Sequence, residues 1–379
     1  MKTASSTVLQ EHEERVLAAL RDHGARTRAE LGRLVGLSRS SLSSVTASLI
    51  DRGAIVVYDR EGSSRVGAGR PAERLALDPA SGQFIGMDFQ HAQVDLVVAD
   101  AVRTVVASGQ ESYAQDSPWH HRLQTAFDLV DRVATAENLH FGALSWIYAG
   151  IPGPYVPPAS RVTLPAFGEQ SRVEGYGVRE ALSGRYGVPA SVDNNTRLAA
   201  LAEATAAGGI GDLIYVRLGQ GVGGGVVVDG RLNQGAHHLS GELGHVSIAG
   251  ADGPCRCGKR GCLETIASLP AVLQALEETG ASPSDGSDPR VEALSGRIAE
   301  ALGSVLRPVV MALDPEEIVL AGPVLDVLPE LLELTRARVL DQRFLGIDPP
   351  VVRGPRVLKH EGALGALQAG FNAAASGTK

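Results

Sequence analysis

An α/β body behind a small α+β winged helix-turn-helix unit is the fold this sequence predicts, on three observations. Beyond residue 84, β-like runs (FIGMDF, VDLVVAD, WIYAGI, ASVD, LIYVRLG, GGVVVDG, EIVLAG) alternate with longer helical stretches, as in α/β domains. Before residue 80, apolar residues recur at helical spacing in three short segments. A chain of 379 residues exceeds one ordinary core, and the pattern changes at SGQFIG, residues 81–86, which divides it into units 1–80 and 81–379.

In the first unit, EHEERVLAALRD (11–22) carries Val16, Leu17 and Leu20 on one helical face, and His23-Gly24 ends the run. Thr27 and Glu30 form an S/T-x-x-E capping box that opens a second helix, with Leu31, Leu34 and Val35 as its apolar stripe and Gly36 as its end. Ser38 can cap a third helix, whose Leu42, Val45 and Leu49 face inward while Arg39, Ser40, Ser41, Ser43 and Ser44 gather near its start and outer face. Two short helices with a tight Gly-containing turn form the helix-turn-helix pattern. AIVVYD and ERLALD are then expected to pair as strands around the Gly- and Arg-rich loop EGSSRVGAGRP, the wing.

Charge points the same way. Residues 1–75 hold 12 Lys and Arg against 9 Asp and Glu, and the remainder holds 23 against 34, so the only basic part is N-terminal. Helices, turn, wing and charge together predict DNA binding through Ser38, Arg39, Ser40, Ser41 and Ser44 in the major groove, with Arg65 and Arg70 reaching backbone or minor groove from the wing. A three-helix protein-interaction module is the alternative. Apolar residues at 44% and charged residues at 21% are ordinary for a soluble protein. No apolar run approaches the roughly 20 residues of a membrane helix, and MKTASSTVLQEHEERV does not read as a secretory signal. A cytoplasmic protein without membrane contact is expected.

The chain's three cysteines fall within GHVSIAGADGPCRCGKRGCLE (244–264), spaced His245-x9-Cys255-x-Cys257-x4-Cys262. Three thiolates and an imidazole can close a tetrahedral shell around zinc, and Gly258 and Gly261 let the chain turn tightly around the ion. Such a shell has no vacancy for substrate, so a structural zinc on His245, Cys255, Cys257 and Cys262 is expected, with a redox pair or buried thiols as the alternatives.

The run from LIYVRLGQGVGGG through GELGH to CRCGKRGCLE resembles the ROK family, named for repressors, open reading frames and sugar kinases. The resemblance covers nearly the whole chain and implies an actin-like, two-lobed sugar-kinase fold, preceded in the family's regulators by a winged helix. Family kinases carry Asp-x-Gly-Gly-Thr after the first strand, where this chain reads Asp88-Phe89-Gln90-His91-Ala92. Their catalytic Asn-Asp-x-Asn, aligned on the following helix, falls on Asn194, Asn195 and Arg197, with Glu203 closing the helix. An amide at 195 cannot take a proton from a sugar hydroxyl. Gln220 stands where the second kinase loop has Thr. No catalytic residue and no enzyme are therefore expected.

By resemblance, Asn194, Asn195, Glu242, His245 and Glu264 hold sugar hydroxyls, and zinc fixes the loop that carries Glu242 and Glu264. The expected protein is a transcriptional regulator, a repressor of carbohydrate metabolism genes, that binds a double-stranded DNA operator as a homodimer or homotetramer and answers to a sugar or sugar-derivative effector. An ATP-dependent sugar kinase fused to a DNA-binding domain, and a regulator controlled by a protein partner, are the alternatives.

Overall fold

The structure is a computed structural model that describes residues 2–58, 73–157, 166–281, 288–340 and 348–376. Helix α1 (Lys2–His23) starts well before the expected segment, because nothing in residues 2–10 breaks a helix, and Gly24 ends it at positive φ. After the two-residue β1 (Arg26–Thr27), α2 (Arg28–Val35) opens with the expected capping box. The Glu30 amide donates to Thr27 Oγ1 at 3.3 Å, and the Thr27 amide donates to Glu30 Oε2 at 2.8 Å. Gly36 closes α2, and Ser38 Oγ accepts from the Ser41 amide at the start of α3 (Arg39–Asp51).

Val16, Leu20, Leu31, Val35, Leu42, Val45 and Leu49 close one core with Leu75. Leu34, expected in the same stripe, is 48% exposed, because only the 31/35 edge of this two-turn helix faces its neighbours. Strands β2 (Ile55–Tyr58) and β3 (Arg74–Leu77) pair antiparallel with Ile55 opposite Leu77, and β1 adds to the other edge of β3. The expected wing, with Arg65 and Arg70, lies outside the described residues.

The body holds β4 (Phe84–Phe89), β5 (Gln93–Ala99), β6 (Val105–Ser112), α4 (Trp119–Ala136), β7 (Trp146–Ile151), α5 (Ala166–Tyr186), β8 (Ala190–Asn194) and α6 (Asn195–Thr205). It continues with β9 (Leu213–Leu218), β10 (Val222–Val228), β11 (Arg231–Leu232), α7 (Glu264–Ala267), α8 (Leu269–Thr279), α9 (Pro289–Leu313), β12 (Glu317–Ala321), α10 (Val324–Val327), α11 (Leu331–Leu340), β13 (Val351–Arg353) and α12 (Glu361–Ser376). The sheet orders are β6-β5-β4-β7-β8 and β11-β10-β9-β12-β13, each an antiparallel meander of three strands followed by two parallel ones. One topology thus occurs twice, which is the two-lobed, actin-like architecture. Each sheet has its own apolar core.

Helix α6 is buried along residues 195–204, between the sheets and against α12. The approach is close enough that glycine is required at the contacts. A Cβ on Gly365 of α12 would fall inside the Leu198 carbonyl oxygen, and one on Gly225 of β10 would meet Ala200 Cβ. The N-terminal unit rests on the first lobe. Ala143, between α4 and β7, is buried in its core; Arg21 Nε donates to the Ala101 carbonyl at 2.7 Å; and His140 Nε2 lies 3.1 Å from Asp78 Oδ2. Among the described residues no helix is long and apolar enough to cross a membrane.

Because the Leu198 backbone cannot move without displacing α6, Gly365→Ala is expected to cost about 3 kcal/mol, the upper end of ordinary overpacking. Urea unfolding with a lowered midpoint and unchanged slope checks this; an unchanged midpoint would show that the two helices can separate freely.

Candidate functional site

The chain between β11 and α7 folds back on itself to bring one histidine and three cysteines together. Gly258 and Gly261 both sit at positive φ, and the Gly261 amide donates to the Gly253 carbonyl at 2.8 Å while the Ile248 amide donates to the Gly261 carbonyl at 2.7 Å. One donor atom from each of His245, Cys255, Cys257 and Cys262 lies within 4.8 Å of all the others. Cys257 Sγ is 3.6 Å from Cys262 Sγ, and Cys255 Sγ is 3.5 Å from His245 Nδ1. Metal–sulfur bonds of about 2.3 Å in a tetrahedron place sulfurs about 3.8 Å apart. The four side chains therefore fit one metal ion.

His245 is shared with a cleft. Its Nδ1 faces Cys255, and its Nε2 lies 3.9 Å from Glu242 Oε2. The cleft, about 290 Å³, lies between the lobes, and all five residues expected to hold sugar line it: Asn194, Asn195, Glu242, His245 and Glu264. Each arrives from a different constraint. Asn194 ends β8 and caps α6, its Oδ1 accepting from the Thr196 and Arg197 amides at 2.9 and 3.1 Å while its Nδ2 donates to the Gly153 carbonyl. Asn195 opens α6, Glu242 precedes the turn that carries His245, and Glu264 opens α7 directly after the last cysteine. Burial pushes the Glu242 carboxyl above its ordinary range, with Glu264 adding to the shift and Arg197 and Arg256 opposing it.

Asp193, two positions before Asn195, is fully buried and turned away from the cleft. Its Oδ1 accepts from the Asn194 amide at 2.6 Å and from the Arg197 guanidinium, and its Oδ2 accepts from Gln234 Nε2 at 2.9 Å. Arg197 is equally buried and also donates to the Tyr155 carbonyl, in the segment after β7, and to the His238 carbonyl, in the segment after β11. One guanidinium thus ties α6 to a segment from each lobe. Glu203, at the other end of α6, takes the Arg356 and Val357 amides at 2.7 and 2.6 Å and Arg353 Nη1 at 2.8 Å.

The sequence profile of the ROK family matches residues 85–369. The chain belongs to the ROK family. Over 266 residues it is 28% identical to the xylose repressor of Caldicellulosiruptor bescii, a match that covers 69% of this chain and spans 65% of that relative's length. Over 368 residues it is 25% identical to the DNA-binding transcriptional dual regulator NagC of Escherichia coli, covering 91% of this chain and 88% of the other. A solved ROK family transcriptional regulator, described as a homolog of the E. coli MLC protein, superposes on 97% of each chain with a TM-score of 0.66 at 22% identity. A ROK hexokinase from Thermus thermophilus covers 77% of this chain and 99% of its own, with a TM-score of 0.61 at 25% identity.

In the N-terminal unit, Ser38, Arg39, Ser40 and Ser44 are exposed at the start and on the outer face of α3, and Ser41 is half-buried beside them. The structure adds cleft residues that were not singled out as binding groups: Arg217 and Arg256, with Gln90, His91 and Gln93 from the β4–β5 turn. Arg217 left a sign in the sequence, a charge inside the apolar run LIYVRL, and Arg256 left another between two cysteines. Asp88, at the end of β4, is fully buried, and burial pushes its carboxyl up to about 7, with Asp95 and Glu361 adding to the rise and Arg217 opposing it.

That shift carries a pH dependence. The folded carboxyl keeps its proton from the ordinary aspartate range up to about 7 while the unfolded one loses it, so stability falls as pH rises through this window and is level above it. Asp88→Asn is expected to raise Tm at pH 8 and to change it much less at pH 4. An equal change in Tm at both values would refute the assignment.

Proposed function

We propose that this protein is a sugar-responsive transcriptional repressor of carbohydrate metabolism genes. The observation that carries this reading is the reach of the regulator match. NagC is aligned over 91% of the chain, whereas the hexokinase covers 77% and the family profile begins only at residue 85, after the N-terminal unit. The exposed serines and Arg39 on α3 suit a helix seated in a major groove, with phosphates met by the hydroxyls and the guanidinium. A dimer or tetramer would place two such helices on a two-fold operator. The site of action would be the cytoplasm, where thiols stay reduced.

The cleft binds and does not turn over its ligand in this reading. Phosphoryl transfer to a sugar needs a base at its hydroxyl, and position 195 offers an amide while Asp193 is buried and held by three donors. The metal would be zinc, held by His245, Cys255, Cys257 and Cys262 as a structural ion that fixes the loop between Glu242 and Glu264. Glu242, Glu264, Asn195 and the remaining Asn194 amide proton would meet hydroxyls, the mixed donors and acceptors a sugar requires. A ligand gripped by both walls shifts DNA affinity only by its preference for one arrangement of the lobes.

Fluorescence anisotropy on DNA from upstream of its own gene tests the reading. Saturable, salt-sensitive binding that one sugar weakens is expected. ADP release with a sugar would instead establish the kinase, and binding unmoved by any sugar but released by a protein partner would establish the other alternative. For the metal, elemental analysis is expected to give one zinc per chain, and chelation to abolish sugar binding while far-UV circular dichroism is retained. Sugar binding that survives complete zinc removal would remove the ion from the site.

A further inference from the structure

Residues 254–260 form a small hairpin with Cys257 near its tip. Pro254 and Arg260 bridge antiparallel, the Cys255 amide donates to the Lys259 carbonyl at 2.9 Å, and the Gly258 amide donates to the Cys255 carbonyl at 3.0 Å. The tip faces solvent. Arg256, Gly258, Lys259 and Arg260 are exposed, Cys257 is partly exposed among them, and nothing lies within 4 Å of where a Cβ on Gly258 would stand. A small oxidant can therefore reach this sulfur, on a segment that also carries three cationic side chains, and partial exposure beside positive charge is where reactive cysteines are found.

Cys262 stands behind it. Its backbone is held by the bridge to Ser247, the next amide, of Leu263, donates to the Val246 carbonyl at 2.9 Å, its side chain is buried, and its Sγ lies 3.6 Å from Cys257 Sγ. Cys255 Sγ lies beside His245 Nδ1 at 3.5 Å and Glu264 Oε1 at 4.0 Å, two residues that line the cleft. An S–S bond is about 2.0 Å long, so the 257/262 pair has about 1.6 Å to close, and Gly258 and Gly261 give the chain between them the freedom to do so. An accessible thiol poised next to a resolving one is the arrangement of a redox sensor.

We propose that Cys257 is a peroxide-reactive thiol with Cys262 as its resolving partner, and that their disulfide opens the loop that carries Glu242 and Glu264. The Cys257 thiolate attacks one oxygen of hydrogen peroxide, the O–O bond breaks, the leaving hydroxide takes a proton from solvent, and Cys257 becomes a sulfenic acid. The Cys262 thiolate then attacks that sulfur, the S–S bond forms, the S–O bond breaks, and the second hydroxide leaves as water. The two sulfurs lose one electron each, and the peroxide is reduced to two molecules of water. His245 and Cys255 alone cannot close a four-coordinate shell, so the point that draws the loop together is lost. This rests on the reading of the cluster as a zinc site beside the sugar cleft, and it makes the oxidised chain a regulator that no longer answers to its sugar.

The test treats the full, reduced, zinc-loaded chain with hydrogen peroxide and follows zinc with a chromogenic chelator, thiols by alkylation, and linkages by mass spectrometry of proteolytic fragments. One zinc per chain and two of the three thiols are expected to be lost in step, with Cys257 linked to Cys262 and Cys255 still open to alkylation; a dithiol with added zinc is expected to reverse the change. Dimedone present during oxidation should label Cys257 and prevent the disulfide. Zinc loss should run at least about threefold faster than oxidation of glutathione under the same conditions. Trypsin should cut at Lys259 or Arg260 at least about fivefold faster once the disulfide has formed, because an opened loop presents both sites. A linkage through Cys255, first labelling at another cysteine, a rate no greater than that of glutathione, or unchanged cutting by trypsin would overturn the proposal and leave the zinc site standing. A reduced chain that takes up no zinc would overturn the metal reading, and the linkage map would then decide the thiol pair separately.

Discussion

The position of α6 governs the rest of this molecule. The helix is buried over residues 195–204, and Gly225 of β10 and Gly365 of α12 let neighbouring backbones approach closer than any side chain would allow. Its N-terminal turn presents Asn194 and Asn195 to the cleft, Arg197 one turn on holds a segment from each lobe, and Glu203 at the far end anchors the loop before α12. Arg197 and Glu203, which would be unfavourable alone inside an apolar packing, are each ion-paired and hydrogen-bonded to backbone groups. Helix α6 therefore packs against both sheets and borders the cleft with its first turn.

The cluster of His245 and the three cysteines solves a different problem. The segment from 243 to 264 contains little regular structure, and its shape is set by turns at glycines and by four ligand side chains drawn to one point. That point is adjacent to the ligand cleft, since His245 has one ring nitrogen toward Cys255 and the other toward Glu242, and Glu264 follows Cys262 by two residues. Glu242, Glu264 and Arg256 all lie on or beside the loop that these four side chains draw together.

The contact between the N-terminal unit and the first lobe has a similar consequence. Ala143 enters the core of the N-terminal unit, and the segment that carries it leads directly into β7, whose far end gives Gly153 to the cleft. The N-terminal unit thus meets the first lobe through packed atoms and a hydrogen bond.

Much of this was legible in the chain. Local chemistry wrote the capping box at Thr27 and Glu30, the Ser38 cap, seven of the body's strands and the cysteine spacing, because each depends on residues close in sequence. Leu34 went wrong because a two-turn helix leaves its second edge to solvent, and β1, β6, β11 and β13 are too short or too polar to announce themselves. The five expected cleft residues came from a resemblance, and their meeting in one cleft is a property of the duplicated sheets. What only the tertiary structure decided is the pairing of distant groups: Arg197 with the Tyr155 and His238 carbonyls, Glu203 with Arg353, Arg217 with Glu361. A sequence fixes which charges exist and what helices and turns lie near each, but the partner of a buried charge is chosen by the fold, through distances that have no local signature.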